Sequence, residues 1–219
     1  MTIKTIEVAG MAAALTALRL PFGKEERSKI DVQIGRGESP CPGANREWGS
    51  TCYCNIDPKD LALMQTLIKR GTEHAKVTRG IIVWAKITAP IYWWGGMETY
   101  VVGHQRLLSE STMHIDCRGL TGDELVRAKA AIPMGKEMTK VDFFSYQALR
   151  NIVNQRWNHR LPEWHLFVDW VKTLPFAQEL ILDGLSFEDR IKDEVIKNFE
   201  KGKQELENYV FGTNKGKED

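Results

Sequence analysis

A stretch of alternating side chains from Thr78 to Ala89 limits the folds that this chain can adopt. The alternation places an apolar set on one face and a mixed set on the other: Ile81, Val83, Ala85 and Ile87 against Ile82, Trp84, Lys86 and Thr88. A period of two with many β-branched residues predicts a β-strand with one buried face, ended by Pro90. The chain therefore needs a sheet, and an all-helical fold is excluded.

Helices are predicted on both sides of this strand. Asp57 followed by Pro58 is typical of a helix start, and an apolar stripe then runs to Gly71. Residue spacing, together with prolines and glycines that end helices, predicts further elements. They are a strand at Ile3–Val8 and helices at Met11–Leu20, Asp123–Ala131, Phe143–Trp157 and Trp164–Leu174. Residues Ile91–Val102 are predicted to form a short helix or an irregular turn. This pattern predicts an α/β (α+β) fold with a helical C-terminal half.

The length of 219 residues fits a single domain, which we predict over residues 1–211. Gly35–Ser50 contains four glycines and two prolines and is expected to form a long loop. The spacing of apolar residues in Ser186–Tyr209 predicts an amphipathic terminal helix, and Gly212–Asp219 is expected to be a flexible tail.

Charge and hydropathy exclude several classes of partner. Thirty Lys and Arg residues against twenty-nine Asp and Glu leave a formal net charge of +1, so no net field attracts long nucleic acid or an anionic membrane. No apolar run approaches the roughly 18 residues of a membrane span, and the N-terminus lacks the pattern of a secretory signal. We therefore expect a soluble cytoplasmic protein.

Four cysteines are too few for a disulfide scaffold in a chain of this length, and a reducing compartment fits them. Cys52 and Cys54 form a C-x-C pair without a second pair at zinc-finger spacing, and Cys41 lies eleven residues upstream. Incidental loop cysteines are favoured over a metal site, so no metal is expected.

An arginine on an apolar helix face is the first candidate for binding chemistry. The predicted helix Phe143–Trp157 places Arg156 on one stripe with Leu149, Ile152 and Val153. A guanidinium directed inward needs an anion, because it stays protonated and its burial alone is costly. A salt bridge to an internal carboxylate is the favoured interpretation, and a bidentate clamp on a bound phosphate or carboxylate is the alternative.

A second candidate is His104–His114, which gathers two histidines, one arginine, three hydroxyls and one carboxylate. This set suits a polar ligand with phosphates and ring heteroatoms, although a solvated loop with ordinary capping residues is favoured. His74 and the aromatic residues Tyr92, Trp93 and Trp94 are further candidates, for which a surface histidine and core aromatics are the commoner outcomes.

Several segments resemble those of the flavin-dependent thymidylate synthases, the ThyX family. Residues 17–24 (ALRLPFGK) are similar to its A-R-x-S-x-G-K segment, and residues 58–71 to its K-D-x-x-L-I-x-x-L-x-x-x-G helix. Residues 87–92 (ITAPIY) resemble its h-I-x-A-P-h-F strand end, where h is apolar. Residues 149–156 (LRNIVNQR) resemble its L-x-N-x-x-N-x-R helix, whose arginine holds the phosphate of deoxyuridylate.

The family's signature R-H-R-x-x-S-x-N-E-x-S-x-R is matched in part by residues 104–109 (HQRLLS). Arg106 and Ser109 agree with it, whereas His104 and Gln105 replace the first arginine and the histidine. The interval between the predicted strand and this segment is longer than in the family by about five residues.

The resemblance implies a ThyX-like single domain, in which helices flank a central, mostly antiparallel sheet. It implies methylation of the uracil ring of dUMP at C5, with FAD as cofactor and with NADPH and methylenetetrahydrofolate as co-substrates. It also implies a homotetramer. The residues that it implicates are Arg156 as catalytic and phosphate-binding arginine, His74, Arg106, Ser109 and Asn151 for the cofactor, and Lys129 and Ser111 for the substrate.

Two other functions stay open from the sequence. A ThyX-derived protein would bind a pyrimidine nucleotide, or modify another pyrimidine, without thymidylate synthase activity and with or without flavin. A non-enzymatic interaction protein would assemble through the predicted helix Ser186–Tyr209.

Overall fold

A four-stranded antiparallel sheet is the centre of the fold. The computed structural model describes residues 1–23, 30–33, 52–185 and 202–203. The strands are β1 (Thr2–Ala9), β2 (Ile30–Gln33), β3 (Cys52–Ile56), β4 (Ile82–Pro90), β5 (His104–Ser109) and β6 (Glu137–Ser145). The main sheet has the order β1-β4-β6-β5 and antiparallel pairing throughout, and β2 and β3 form a separate hairpin-like pair. The predicted fold class is confirmed.

Helices connect these strands and follow them along the chain. They are α1 (Met11–Arg19), α2 (Pro58–Lys69), α3 (Ile91–Met97), α4 (Thr112–Ile115), α5 (Gly122–Ala130), α6 (Tyr146–Arg156) and α7 (Pro162–Lys172), with 3₁₀ segments at Leu20–Phe22 and Ala75–Arg79 and a π-helical segment at Gln178–Leu182. The start of α2 is as predicted, because the Asp57 carboxylate accepts the N–H of Lys59 at 2.8 Å. None of the described helices has the length and apolar character needed to cross a bilayer.

Met1–Asp183 form one compact unit, and Gly184–Asp219 form a second, of which residues 184–185 and 202–203 are described. The prediction of a single domain over residues 1–211 stays a prediction. Several predicted features lie wholly or mostly outside the described residues: the loop Gly35–Ser50 with Cys41, the terminal helix Ser186–Tyr209 and the tail Gly212–Asp219.

Strand β4 buries the predicted apolar face. The four residues of that face are completely buried, namely Ile81, Val83, Ala85 and Ile87. The strand begins at Ile82 rather than at Thr78, because Thr78 belongs to the 3₁₀ segment Ala75–Arg79 and donates its hydroxyl to the carbonyl of Ala75 at 2.7 Å. Pairing with β1 on one edge and β6 on the other makes β4 a central strand.

Strand β6 corrects the prediction of a helix over Phe143–Trp157. The first three residues of that range end β6, where Phe144 lies opposite both Val83 of β4 and His104 of β5. The Phe144 ring is completely buried. Backbone pairing on both edges and burial of this ring outweigh the local helical spacing, so the chain stays extended to Ser145.

Helix α6 begins at Tyr146, directly after the strand. The Ser145 hydroxyl oxygen accepts the N–H of Ala148 at 3.1 Å and caps the helix. The helix runs to Arg156, which therefore lies at its C-terminal end.

Aromatic side chains join α3, α7 and β6 in the core. The ring of Trp93 lies 5.0 Å from that of Trp164, and the ring of Phe167 lies 5.8 Å from that of Phe144. Trp93 and Trp94 are buried, as expected for core aromatics, whereas Tyr92 is 39% exposed.

Two glycines with positive φ allow a matched test of backbone packing. Gly10 has φ 89° and Gly23 has φ 58°. A Cβ at Gly10 would overlap the carbonyl oxygen of Gly80, whereas a Cβ at Gly23 would meet no atom of the described residues. We expect Gly23→Ala to cost about 1 kcal/mol of unfolding free energy, the cost of a left-handed non-glycine residue. Gly10→Ala should cost about 3 kcal/mol or more, because the backbone must also move. Urea unfolding measures both values, and equal losses would contradict the close approach of Gly80.

Candidate functional site

The three residues Glu98–Tyr100, between α3 and β5, lie at the centre of the candidate site; we call them the 98–100 segment. They contact titratable side chains from three elements: His104 and Arg106 of β5, Lys140 of β6 and Arg156 of α6. The structure therefore brings two of the predicted site residues, Arg106 and Arg156, to one short piece of chain.

Arg156 is held by a hydroxyl and two aromatic rings. Its Nε donates to the Tyr100 hydroxyl at 2.7 Å, and its guanidinium carbon lies 4.7 Å from the Trp164 ring centre and 5.5 Å from that of Tyr100. In the described part of the chain, no carboxylate forms an ion pair with Arg156, and its two terminal nitrogens have no hydrogen-bond acceptor. The favoured salt bridge is therefore not formed among these residues, and the terminal nitrogens can bind an external anion bidentately.

Glu98 lies between two cations. One of its oxygens, Oε1, accepts hydrogen bonds from Arg106 and, at 2.9 Å, from Lys140. The Lys140 side chain is only 6% exposed, and its Nζ lies 4.3 Å from the ring centre of Trp94. The hydrogen bond from Lys140, followed by that from Arg106, lowers the pKa of Glu98, and burial lowers the pKa of Lys140. Glu98 is thus the carboxylate that pairs with both Arg106 and Lys140.

His104 and Asp142 form a buried pair next to that cluster. His104 Nε2 lies 2.7 Å from Asp142 Oδ2, and both side chains are buried. The imidazole stacks on Phe144 at 4.6 Å between ring centres, with 5° between the planes. Asp142 Oδ1 is buried and has no hydrogen-bond partner among the described residues.

His159 lies beside Arg156, in the turn between α6 and α7. Its Nδ1 accepts the N–H of Leu161 at 3.1 Å. Burial lowers the pKa of His159, and three neighbouring basic side chains lower it further: Arg156, Arg160 and His165. The neutral ring therefore carries its proton on Nε2, where it is a hydrogen-bond donor.

The predicted cluster His104–His114 is strand β5 followed by helix α4 rather than a loop, although its residues after His104 are all exposed or half-exposed, as expected for a solvated segment. Ser109 ends β5 and is exposed, and Ser111 is the N-cap residue of α4. Lys129 of α5 donates to the hydroxyl of Thr112. Since Thr112 directly follows Ser111, this bond holds Lys129 near the N-terminal end of α4, and the substrate role of Lys129 and Ser111 stays a prediction.

His74 and Asn151 lie at a different place, where α6 packs on the 3₁₀ segment Ala75–Arg79. Both are exposed, and His74 directly precedes that segment. The Asn151 side-chain oxygen accepts from Gln147 Nε2 at 3.1 Å. Within residues 52–185, no hydrogen bond or ion pair connects His74 or Asn151 with the 98–100 segment.

Four residues of the site were not predicted from the sequence: Glu98, Tyr100, Lys140 and Asp142. A usable signal exists for two of them. Lys140 and Asp142 alternate with Val141 and Phe143, a spacing that places both charges on one face of a strand. Reading this stretch as β rather than as the start of a helix predicts two buried charges, which need partners.

Among the described residues, no group of three or more His, Cys, Asp or Glu side chains is arranged to hold a metal ion. Cys52 and Cys54 belong to β3, and Cys117 is buried as a free thiol. The expected absence of a metal stays a prediction.

Comparison with known proteins gives similarity of structure without similarity of sequence. The sequence matches no family model and no curated protein. A flavin-dependent thymidylate synthase ThyX from Helicobacter pylori, solved with FAD and dUMP, superposes with a TM-score of 0.59 at 11% identity, over 85% of this chain and 100% of that one. A UMP/dUMP methylase, PolB from Streptomyces cacaoi bound with 5-Br dUMP, gives 0.54 at 12% identity, over 82% and 93%. These values show a shared fold.

The surroundings of His159 predict how it titrates. We expect its pKa to lie below the ordinary value of 6.5, so the ring stays neutral with its proton on Nε2 at pH 7. Arg156→Ala should raise the pKa of His159, because it removes one of the repelling positive charges. Arg70→Ala, an exposed control at the C-cap of α2, should leave the pKa of His159 unchanged. Two-dimensional ¹⁵N NMR of the imidazole over pH 4–8 measures both, and a His159 pKa at or above 6.5 would contradict the geometry.

Proposed function

We propose that this protein binds the phosphate of a pyrimidine nucleotide at Arg156 and methylates the uracil ring of dUMP at C5. The observation that supports this most directly is the state of Arg156: it is positioned by Tyr100 and Trp164, and its terminal nitrogens are free of acceptors among the described residues. It also ends the segment that resembles the phosphate-binding helix of ThyX, in a chain that shares the fold of those enzymes.

The protein's own contribution to this reaction is binding and orientation. Arg156 would bind the phosphate, and Lys129 and Ser111 would contact the nucleotide from α5 and α4. Lysine in this role supplies charge without the planar fork of arginine. The positive groups around the 98–100 segment would favour negative charge that develops on the uracil ring.

The residues implicated in FAD binding fit that cofactor in part. The Asn151 amide and the His74 ring are exposed and able to donate hydrogen bonds, and Ser109 offers an exposed hydroxyl. Arg106 is already bonded to Glu98 and would have to exchange that carboxylate for a flavin phosphate. When bound, FAD would pass the reducing electrons of NADPH to the methylene group supplied by methylenetetrahydrofolate.

The engagement of Arg106 favours a second candidate function. If Glu98 keeps Arg106, the cofactor site is incomplete, and the protein would bind a pyrimidine nucleotide or modify another pyrimidine without flavin. The similarity in fold to a UMP/dUMP methylase supports a choice of pyrimidine wider than dUMP alone.

We also propose assembly with further copies of this chain, as a homotetramer. Helix α5 has no buried residue, and neither has α4. Large apolar side chains of α4, of α5, of the edge strand β5 and of the segment before β5 are strongly exposed: Ile115, Val126, Leu108, Val101 and Val102. An edge strand and two helices with uncovered apolar residues are typical of a surface that a second copy covers.

Removal of Arg156 tests the nucleotide site. Arg156→Ala should raise the Kd for dUMP about ten-fold or more, because charge-assisted hydrogen bonds contribute about 1.5–3 kcal/mol. Arg156→Lys should give an intermediate loss, since it keeps the charge without the bidentate geometry. Isothermal titration calorimetry measures the affinities, with Arg70→Ala as control. Wild-type affinity in Arg156→Ala would contradict the assignment.

The visible absorption spectrum distinguishes the two candidate functions. If the first is correct, protein purified from cells carries FAD or takes it up on addition, and dUMP methylation follows when NADPH and methylenetetrahydrofolate are present. Glu98→Gln should increase FAD affinity several-fold, because it frees Arg106 from a charged partner. A colourless protein that binds dUMP but takes up no FAD would support the second function and contradict the first.

A further inference from the structure

We propose that Tyr100, anchored through its main-chain carbonyl by the His104–Asp142 pair, is the positioning residue that holds Arg156 ready for the nucleotide phosphate. This inference rests on the proposed function. It assigns roles to Tyr100 and Asp142, which the sequence did not single out, and to His104, which the sequence placed only in a polar cluster. The chain of contacts is Asp142 to His104, His104 to Tyr100, and Tyr100 to Arg156.

The anchor of this chain is rigid. Asp142 is completely buried in β6, the middle one of three paired strands, and His104 lies beside it on β5. The His104 ring is fixed in three ways: by its bond to Asp142, by its bond to Tyr100 and by stacking on Phe144. Two hydrogen bonds and a stacking contact together restrain both the position and the plane of the ring.

The hydrogen-bond chemistry fixes the direction of each contact. The Tyr100 carbonyl oxygen lies 2.8 Å from His104 Nδ1 and can only accept, so Nδ1 carries a proton. The contact between Nε2 and the Asp142 carboxyl group then needs a second proton, on either side of the hydrogen bond. The pair therefore holds two protons, and His104 is a committed donor to the main chain of Tyr100.

The side chain of Tyr100 transmits this anchoring to Arg156. Its hydroxyl accepts a hydrogen bond from Arg156 Nε at 2.7 Å and donates one to Gln155 Oε1 at 3.1 Å. The hydroxyl is therefore engaged both as acceptor and as donor. The ring also contacts Trp164 edge to face, with 6.1 Å between ring centres. Because Tyr100 bonds only Nε, the bidentate edge of the guanidinium stays available while its orientation is fixed. Binding then does not need to order a long, flexible side chain.

A purely structural role for His104 and Tyr100 makes different predictions. If the role is purely structural, replacing either residue should lower the stability of the protein and should have no specific effect on phosphate binding. A positioning role requires that the loss is confined to ligands with a phosphate, and that it disappears when Arg156 is already absent.

The first experiment is a double-mutant cycle on the full chain, with dUMP and deoxyuridine as probes. Tyr100→Phe keeps the ring and removes the hydroxyl, and we expect it to weaken dUMP binding about three- to ten-fold. Deoxyuridine, which lacks the phosphate, should bind as it does to wild type. In the Arg156→Ala background, Tyr100→Phe should have no further effect.

Tyr92→Phe, which removes a hydroxyl bonded to Glu163 instead, is the matched control. Equal weakening of both probes, or additive losses in the cycle, would overturn the proposal.

The second experiment needs no ligand. In ¹⁵N NMR spectra, the Arg156 Nε–H of the wild type should be resolved and slow to exchange, because it is hydrogen-bonded. Tyr100→Phe should remove that protection, and so should His104→Gln, whose amide can reach Asp142 but not the Tyr100 carbonyl. His104→Gln keeps the buried carboxylate paired, and a thermal melt confirms folding. Unchanged protection of Arg156 in folded His104→Gln would overturn the proposal.

The two experiments separate this proposal from the proposed function. If wild type binds no dUMP but the NMR results are as expected, the nucleotide function fails and the positioning of Arg156 stands. If Arg156→Ala weakens dUMP binding but Tyr100→Phe does not, the nucleotide site stands and the positioning role fails.

Discussion

Pairing of strand β6 on both of its edges is the constraint on which the core and the candidate site depend. Lys140, Asp142 and Phe144 alternate along β6 and are all buried, so one face of this strand carries both site and core residues. Phe144 packs against the aromatic side chains of α7, whereas Asp142 and Lys140 bind residues of the site. Since β6 ends at Ser145, which caps α6, the same strand also sets where α6 starts.

The buried charges of this face explain how the site is ordered. A buried ion costs several kcal/mol unless it is paired, so Lys140 needs Glu98, and Asp142 needs His104. Such pairs contribute little net stability, but they restrict the geometry, because each charge has few places where its partner can be. Both pairs contact the 98–100 segment, which therefore has a defined position although it lies outside the strands and helices. Arg156 is the cation of this group that has no carboxylate partner among the described residues.

Much of the fold was predictable because it depends on local patterns. The alternation that predicted β4 and the Asp57-Pro58 start of α2 are short-range signals, and both are confirmed. Of the candidate site, the sequence singled out Arg156 on its apolar stripe and placed His104 and Arg106 in a polar cluster, and their binding roles stay proposals. Strand β6 was missed because its identity depends on neighbours far away in the chain, and Tyr100 was missed because nothing in the sequence shows what its hydroxyl meets.

Two differences between this sequence and the ThyX pattern meet in one set of contacts in the structure. In the sequence resemblance, His104 stands where the family has its first arginine, and Tyr100 lies in the interval that is longer by about five residues. Under the proposed function, a histidine in place of that arginine leaves one cation fewer for the nucleotide phosphate. In the structure, the His104 ring bonds the main-chain carbonyl of Tyr100, and the Tyr100 hydroxyl accepts from Arg156 Nε, which is the contact proposed to orient Arg156. Orientation of the remaining arginine can offset part of the missing charge, because an ordered bidentate guanidinium binds phosphate more tightly than a mobile one.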